Sequence, residues 1–242
     1  MKTDCRNCPL RRLEVFHPMS TSEVDFMRKF KMGEMAVEAG TPILSEGGNA
    51  PQIYTVLSGM GLRAKLTECG RRQVINFVFP GDFIGLQAGV MGEMTHSVEA
   101  STEMTLCVFD RKAIWQVFRE HPERAFDLTW LAAIEEHFLG ETLLTLGQRD
   151  ALQAVAWALH RIARRGLSLG LMEAGVMPLP YRQQDLADAL GLSLVHTNKT
   201  LGKLRDRQLA TWAESVLRIH DVGGLAELAM VENDAPMRRP LI

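Results

Sequence analysis

Two groups of residues in this chain have types and spacings that could do chemistry. The first is sulfur. Cys5 and Cys8 stand in Cys-Arg-Asn-Cys-Pro, Cys107 lies in the apolar run Thr105-Leu106-Cys107-Val108-Phe109, and Cys69 sits beside Gly70 in a polar turn. Thiolates bind metals and exchange electrons, whereas a thiol buried among apolar groups behaves as an inert small hydrophobe. One Cys-x-x-Cys pair leaves metal binding, redox chemistry and plain burial all open, and the irregular spacing argues against a disulfide framework. The second group is the stretch Tyr181 to Arg207. Leu186, Ala187 and Leu190 recur there at helical spacing, and Gly191 follows as a helix stop. Ser193 is placed to cap a second helix. Its inner side would take Leu194, Thr197, Leu201 and Leu204, and its outer side His196, Asn198, Lys199, Lys203 and Arg205. Two short helices around a glycine-containing turn form the helix-turn-helix pattern, which sets the second helix in a DNA major groove. There Asn pairs with adenine, Lys or Arg with guanine acceptors, and further cations meet phosphates. An ordinary amphipathic surface pair would share the periodicity. Against it stands the charge, since residues 194–207 hold four Lys or Arg and one Asp.

The elements that must position these groups follow in order along the 242 residues, whose 46% hydrophobic content is enough for two domains with cores of their own. An arm, residues 1–20, carries Cys5 and Cys8, and a short amphipathic helix begins near Ser20 to Ser22. Between about 31 and 110, short apolar segments are separated by glycines 40, 47, 59, 70 and 81, the pattern of a small antiparallel roll with Tyr54, Val56, Leu57, Val74, Ile75, Phe77 and Phe79 filling its interior. A short helix at 111–119 precedes Pro122. A long helix over 123–146 carries Phe126, Trp130, Ala133, Ile134 and Phe138, more apolar stripe than one contact needs. It reads as a dimer helix, with a core helix buried on two sides as the alternative. After a further helix from Asp150, the reading head is followed by a hairpin over Leu209–His220, a last helix capped by Asp221, and a tail at 233–242 that its prolines and arginines mark as disordered. The expected division is arm 1–20, sensor roll 21–121, dimerisation helix 122–147, winged helix-turn-helix 148–232 and tail 233–242. The fold class is α+β.

Charge is unevenly placed. The net value is −2, yet residues 149–220 hold ten Lys or Arg against six Asp or Glu, while residues 1–148 hold fifteen against nineteen. This asymmetry assigns a double-stranded DNA contact to the C-terminal part. Neither an apolar run long enough to span a membrane nor a secretory leader is seen, so no membrane partner and a cytoplasmic location are expected. The roll offers His96 alone, not the several His and Glu of a metal-dependent oxygenase, so no enzymatic activity is expected.

The order of arm, glycine-punctuated roll with Pro80-Gly81-Asp82-Phe83-Ile84-Gly85, long helix and winged helix-turn-helix resembles the Crp/Fnr family of bacterial transcription regulators over roughly residues 20–230. The resemblance implies a jelly-roll sensor domain of the cyclic-nucleotide-binding type, a homodimer and a pseudo-palindromic promoter site, with RNA polymerase as a candidate partner. In cyclic-AMP-binding members an Arg-Ser pair holds the phosphate. Met94-Thr95-His96-Ser97 stands here instead, so a cyclic nucleotide is not expected. In oxygen-sensing members, arm cysteines and one roll cysteine hold an iron-sulfur cluster. By that resemblance Cys5, Cys8 and Cys107 are candidate ligands, with Glu14 where a further arm cysteine would fall. The alternative is a regulator answering to a small molecule in the roll, with no metal. In the reading head the glutamate used by relatives is absent. His196, Asn198 and Lys199 are then the expected base readers, with Arg182, Gln183, Lys203 and Arg205 on phosphates and Ser193 and Thr197 beside them.

Overall fold

The computed structural model describes residues 3–232 and 237–242, which form two compact units, 1–135 with 238–242, and 136–237. The arm makes two 3-10 turns, Cys5–Asn7 and Pro9–Arg12. Helix α1 (Thr21–Phe30) starts at Ser20, whose hydroxyl accepts from the Glu23 amide while the Glu23 carboxylate accepts from the Ser20 amide. Such a reciprocal cap satisfies two backbone donors that the first turn would otherwise leave unpaired.

The roll has two four-stranded antiparallel sheets. One runs in the order β1 (Lys31–Val37), β8 (Met104–Asp110), β3 (Gln52–Ser58), β6 (Phe83–Ile84). The other runs β2 (Pro42–Leu44), β7 (Ser97–Ala100), β4 (Gly61–Leu66), β5 (Arg72–Val78). Strand side chains alternate between faces, and here that alternation decides the site. Tyr54, Val56, Leu106 and Val108 face the core between the sheets with Val78, Ile84, Val98 and Met104. Their neighbours Ile53, Cys107 and Phe109 face outward, into a second core with Phe26 and Phe30 of α1. That core also takes Ile114 and Val117 of α3 (Ile114–Glu120) and Leu128 and Leu131 of α4 (Pro122–Gln148). Ile75 and Phe77, expected in the interior, are only half-buried, because β5 is an edge strand, and Leu57 of the central strand β3 is half-buried against the outer core, not between the sheets. The short β6 and the six-residue helix α2 (Leu86–Met91) had no periodic signal to announce them.

Gly81 turns the chain between β5 and β6 with φ +83°, and a Cβ there would stand 2.2 Å from the Phe16 ring. Only glycine provides both the left-handed backbone and the close approach of the arm. Residues Arg238–Ile242 belong to this unit, with Leu241 and Ile242 buried in it. This corrects the expectation of a disordered tail. Of that tail, 233–236 lie outside the described residues.

In the second unit, α5 (Ala151–Ser168) is capped by Asp150 and Gln153 and buries Val155, Ala156, Leu159 and Ile162. A three-stranded sheet, β10 (Ala210–Ala213), β11 (Val216–Ile219) and β9 (Val176–Pro178), forms the wing, and α8 (Val222–Ala229) rests on α5. The wing turns through Glu214 and Ser215, both at positive φ, as the two-residue hairpin geometry requires. The helix α4 runs unbroken through residue 135, where the two units divide. Phe126 and Ala133 are exposed, Trp130 and Ile134 half-buried, and Leu139, Leu143, Leu144 and Leu146 add an exposed apolar face. Phe138 differs from the expectation of a dimer contact. It is buried within the second unit, stacked on Trp157 and covered by the Arg161 guanidinium 4.0 Å from its ring.

Candidate functional sites: a DNA-reading helix and a thiol cavity

The reading head is α6 (Gln183–Leu190) and α7 (Leu194–Asp206). Gly191 closes α6 in the left-handed conformation, and the Ser193 hydroxyl accepts from the His196 amide to open α7. Leu186, Ala187 and Leu190 anchor the first helix, and Thr200, Leu201 and Leu204 the second. His196, Asn198, Lys199, Lys203 and Arg205 stand together on the exposed side of α7, with Ser193 at its start. Two expectations are corrected. Thr197 is fully buried, its hydroxyl donating to the Ser193 carbonyl, so it cannot meet a base. Leu194 is instead exposed, because the first turn of α7 projects beyond the core. Arg182 is exposed, yet its guanidinium and amide are both engaged by the buried Asp185 carboxylate, at 2.9 and 2.8 Å. Gln183 is half-buried and reaches the Trp212 carbonyl at 3.5 Å, which ties the head to the wing. Arg205 pairs with Asp206. Arg218 of β11 is an exposed cation that reading for helical periodicity passed over, since a lone Arg in a short strand carries no pattern.

In the first unit the outward face of β8 and β3 meets the arm. One cavity there is lined by Cys5, Cys8 and Cys107 together with Lys31, Thr55 and Ile242 among others. The register places Cys107 between Glu34 and Thr55 on the neighbouring strands. The Lys31 ammonium, almost fully buried, donates to Glu34 at 2.7 Å and to the Thr3 carbonyl at 2.9 Å. Burial alone would lower its pKa, but Glu34 and the Cys107 sulfur outweigh that and raise it. Burial also pushes the Cys107 thiol up to about 11, against the pull of Lys31, so this sulfur is protonated at neutral pH. Nothing in the sequence pointed to Lys31, because a buried lysine at the start of a strand looks like any surface lysine. Cys69 is exposed and away from the cavity, its thiol drawn down by a bond to the Thr67 hydroxyl.

An iron-sulfur cluster calls for four ligands converging on one point. Among the described residues no three His, Cys, Asp or Glu side chains are disposed to hold a metal ion, and Glu14 is exposed and outside the cavity. The residues present therefore do not fit that group in this arrangement. His96 is buried, its pKa lowered to about 4 by burial and by Arg63. Arg63 comes to the turn after Gly81 from β4, not from residues 94–97. Its guanidinium is taken by the Phe83 carbonyl and by Glu135, each at 3.1 Å.

A roll whose outer face gathers thiols, and a separate winged head with a basic, polar exposed helix, define a DNA-binding regulator with a sensor domain. Residues 34–121 match the cyclic nucleotide-binding domain model and residues 153–228 the Crp-like helix-turn-helix domain model. The chain is 30% identical over 207 residues to the nitrogen fixation regulation protein FixK of Bradyrhizobium diazoefficiens, covering 83% of each. It is 26% identical over 234 residues to the transcriptional activator protein FnrL of Cereibacter sphaeroides, covering 95% of this chain and 93% of that one. Among solved structures, FixK2 from Bradyrhizobium japonicum has a TM-score of 0.74 at 26% identity, over 84% of this chain and 98% of that one. The chain belongs to the Crp/Fnr family of transcription regulators, which are not enzymes. No helix among the described residues is long and apolar enough to cross a membrane.

Proposed function

We propose that this regulator binds a pseudo-palindromic promoter site as a homodimer, and that its roll reports oxygen or redox state through Cys5, Cys8 and Cys107. The observation that carries the redox reading is the meeting of all three thiols on one cavity, although the arm and β8 are about a hundred residues apart in sequence. The exposed apolar face of α4, with Phe126, Ala133, Leu139 and Leu143, supports the dimer. RNA polymerase is the partner such a regulator would engage at a promoter. Iron and acid-labile sulfide assays on protein purified without oxygen accompany the thiol test.

That experiment compares operator affinity of reduced and oxidised protein at one fixed salt concentration. A coupling of the ordinary size for linked sites is expected, roughly 5- to 150-fold between the two states. It should vanish in Cys8→Ser and Cys107→Ser. Equal affinities in the wild-type protein would sink the redox reading.

In the head, His196, Asn198 and Lys199 are assigned to base edges, with Lys203 and Arg218 on phosphates. Lys199→Ala should weaken specific binding by roughly 1 to 3 kcal/mol and relax discrimination at one base position. A gel-shift titration that returned the wild-type affinity and the wild-type preference would remove Lys199 from the base readers.

A further inference from the structure

Residues Arg238–Ile242 come after the second unit in the chain but belong to the first. The Arg239 amide donates to the Val15 carbonyl at 2.8 Å, and its own carbonyl accepts from the His17 amide at 2.9 Å. These two bonds form a short parallel bridge beside Phe16. The Arg239 guanidinium reaches the Asp82 carboxylate at 2.9 Å, with both side chains nearly enclosed. Leu241 and Ile242 are only 4% and 7% exposed, and Ile242 joins the core of Phe26, Phe83, Phe109 and Leu128. The Thr55 hydroxyl donates to the main-chain oxygen of Ile242. Thr55 is the strand neighbour of Cys107, and Leu241 and Ile242 line the cavity that holds the three thiols.

A segment held by a backbone bridge, an enclosed ion pair and two buried side chains is bound as a ligand is bound, with polar groups fixing its register and apolar groups filling a pocket. We propose that Arg238–Ile242 is an intramolecular ligand of the sensor roll, seated as one wall of the cysteine cavity, and that its seating and chemical access to Cys107 exclude each other. On the redox reading above, whatever modifies or fills the thiol cavity unseats the tail. The signal then passes into the chain segment that follows the reading head, without needing a ligand inside the roll.

The test uses the full-length reduced protein and short pulses of N-ethylmaleimide, with labelling at Cys107 read by mass spectrometry against the exposed Cys69 as internal reference. In Arg239→Ala and in Ile242→Asp the labelling of Cys107 relative to Cys69 should rise by about tenfold or more, since reaction of a buried group follows local opening. An unchanged ratio in both variants overturns the proposal. Hydrogen exchange on the wild-type protein gives a second reading that no folding defect can blur. The His17 and Arg239 amides should exchange slowly, and exchange at the rate of unstructured peptide at both would equally overturn the seating. If the labelling contrast appears while operator affinity ignores oxidation, the tail ligand stands and the redox reading falls. A redox-dependent affinity without the labelling contrast gives the reverse.

Discussion

Replacing Arg124 with methionine will cost the first unit about 3 to 5 kcal/mol, the usual penalty for removing one partner from a buried ion pair. Arg124 is buried at the start of α4 and lies 2.7 Å from the Glu23 carboxylate and 2.6 Å from that of Asp127, both largely enclosed. Methionine keeps most of the side-chain volume, so the loss measures charge and not a cavity. The two carboxylates differ. Burial pushes Glu23 up, but the Ser20 amide and hydroxyl and Arg124 together hold it below the ordinary range. Asp127 ends above that range, because burial exceeds the pull of Arg124, and its Oδ2 makes no well-aligned hydrogen bond. A carboxyl whose folded pKa is raised binds its proton more tightly when folded, so it lowers stability at neutral pH and that loss fades as pH falls through the folded pKa. Without Arg124, Asp127 rises further. The gap in unfolding free energy between wild type and Arg124→Met should therefore be widest near pH 7 and narrow on acidification. Denaturant titrations at pH 7 and near pH 4.5 check both parts, and a gap that is small or widens in acid would show that the three charges are not coupled as described.

What could be read from the sequence was what local chemistry writes. Ser20, Ser193 and Asp221 cap helices because a side-chain oxygen meets a free amide one turn on, and that signal needs no tertiary context. The short apolar run Thr105 to Phe109 marked a strand, and Gly191 marked the end of α6. The reading head was legible for the same reason, down to the exposed His196, Asn198 and Lys199. Thr197 faces inward as its spacing predicts, so it cannot also stand among the DNA contacts, and Leu194, expected inside, is exposed because the first turn of α7 projects beyond the core. The thiol site was legible only as candidates. That Cys5, Cys8 and Cys107 meet follows from the arm crossing the outward face of β8, which the close fit of Phe16 on Gly81 fixes. The tail was misread because two prolines and two arginines describe its isolated preference, whereas Asp82, Thr55 and the Val15 carbonyl, which bind it, lie more than 150 residues away.

Leu204→Ala should lower the stability of the second unit by about 2 to 5 kcal/mol, the range for a leucine removed from a packed core that only partly relaxes. Leu204 is fully enclosed on the inner face of α7, the helix that packs on α5 and α6, and its carbonyl accepts the Leu209 amide where the chain turns into the wing. The substitution removes no exposed group, so no DNA contact is lost directly. Operator affinity should nonetheless fall, because His196, Asn198 and Lys199 read bases only while this face holds α7 in place. Lys199→Ala sets the opposite case, with affinity reduced and the melting temperature within a degree or two of wild type, as for a surface change of about ±0.5 kcal/mol or less. Thermal melts and gel-shift titrations on the two variants separate the roles. If Leu204→Ala melted like wild type, the inner face would not be the core of the head, and if Lys199→Ala melted early, Lys199 would be holding the fold and not facing the duplex.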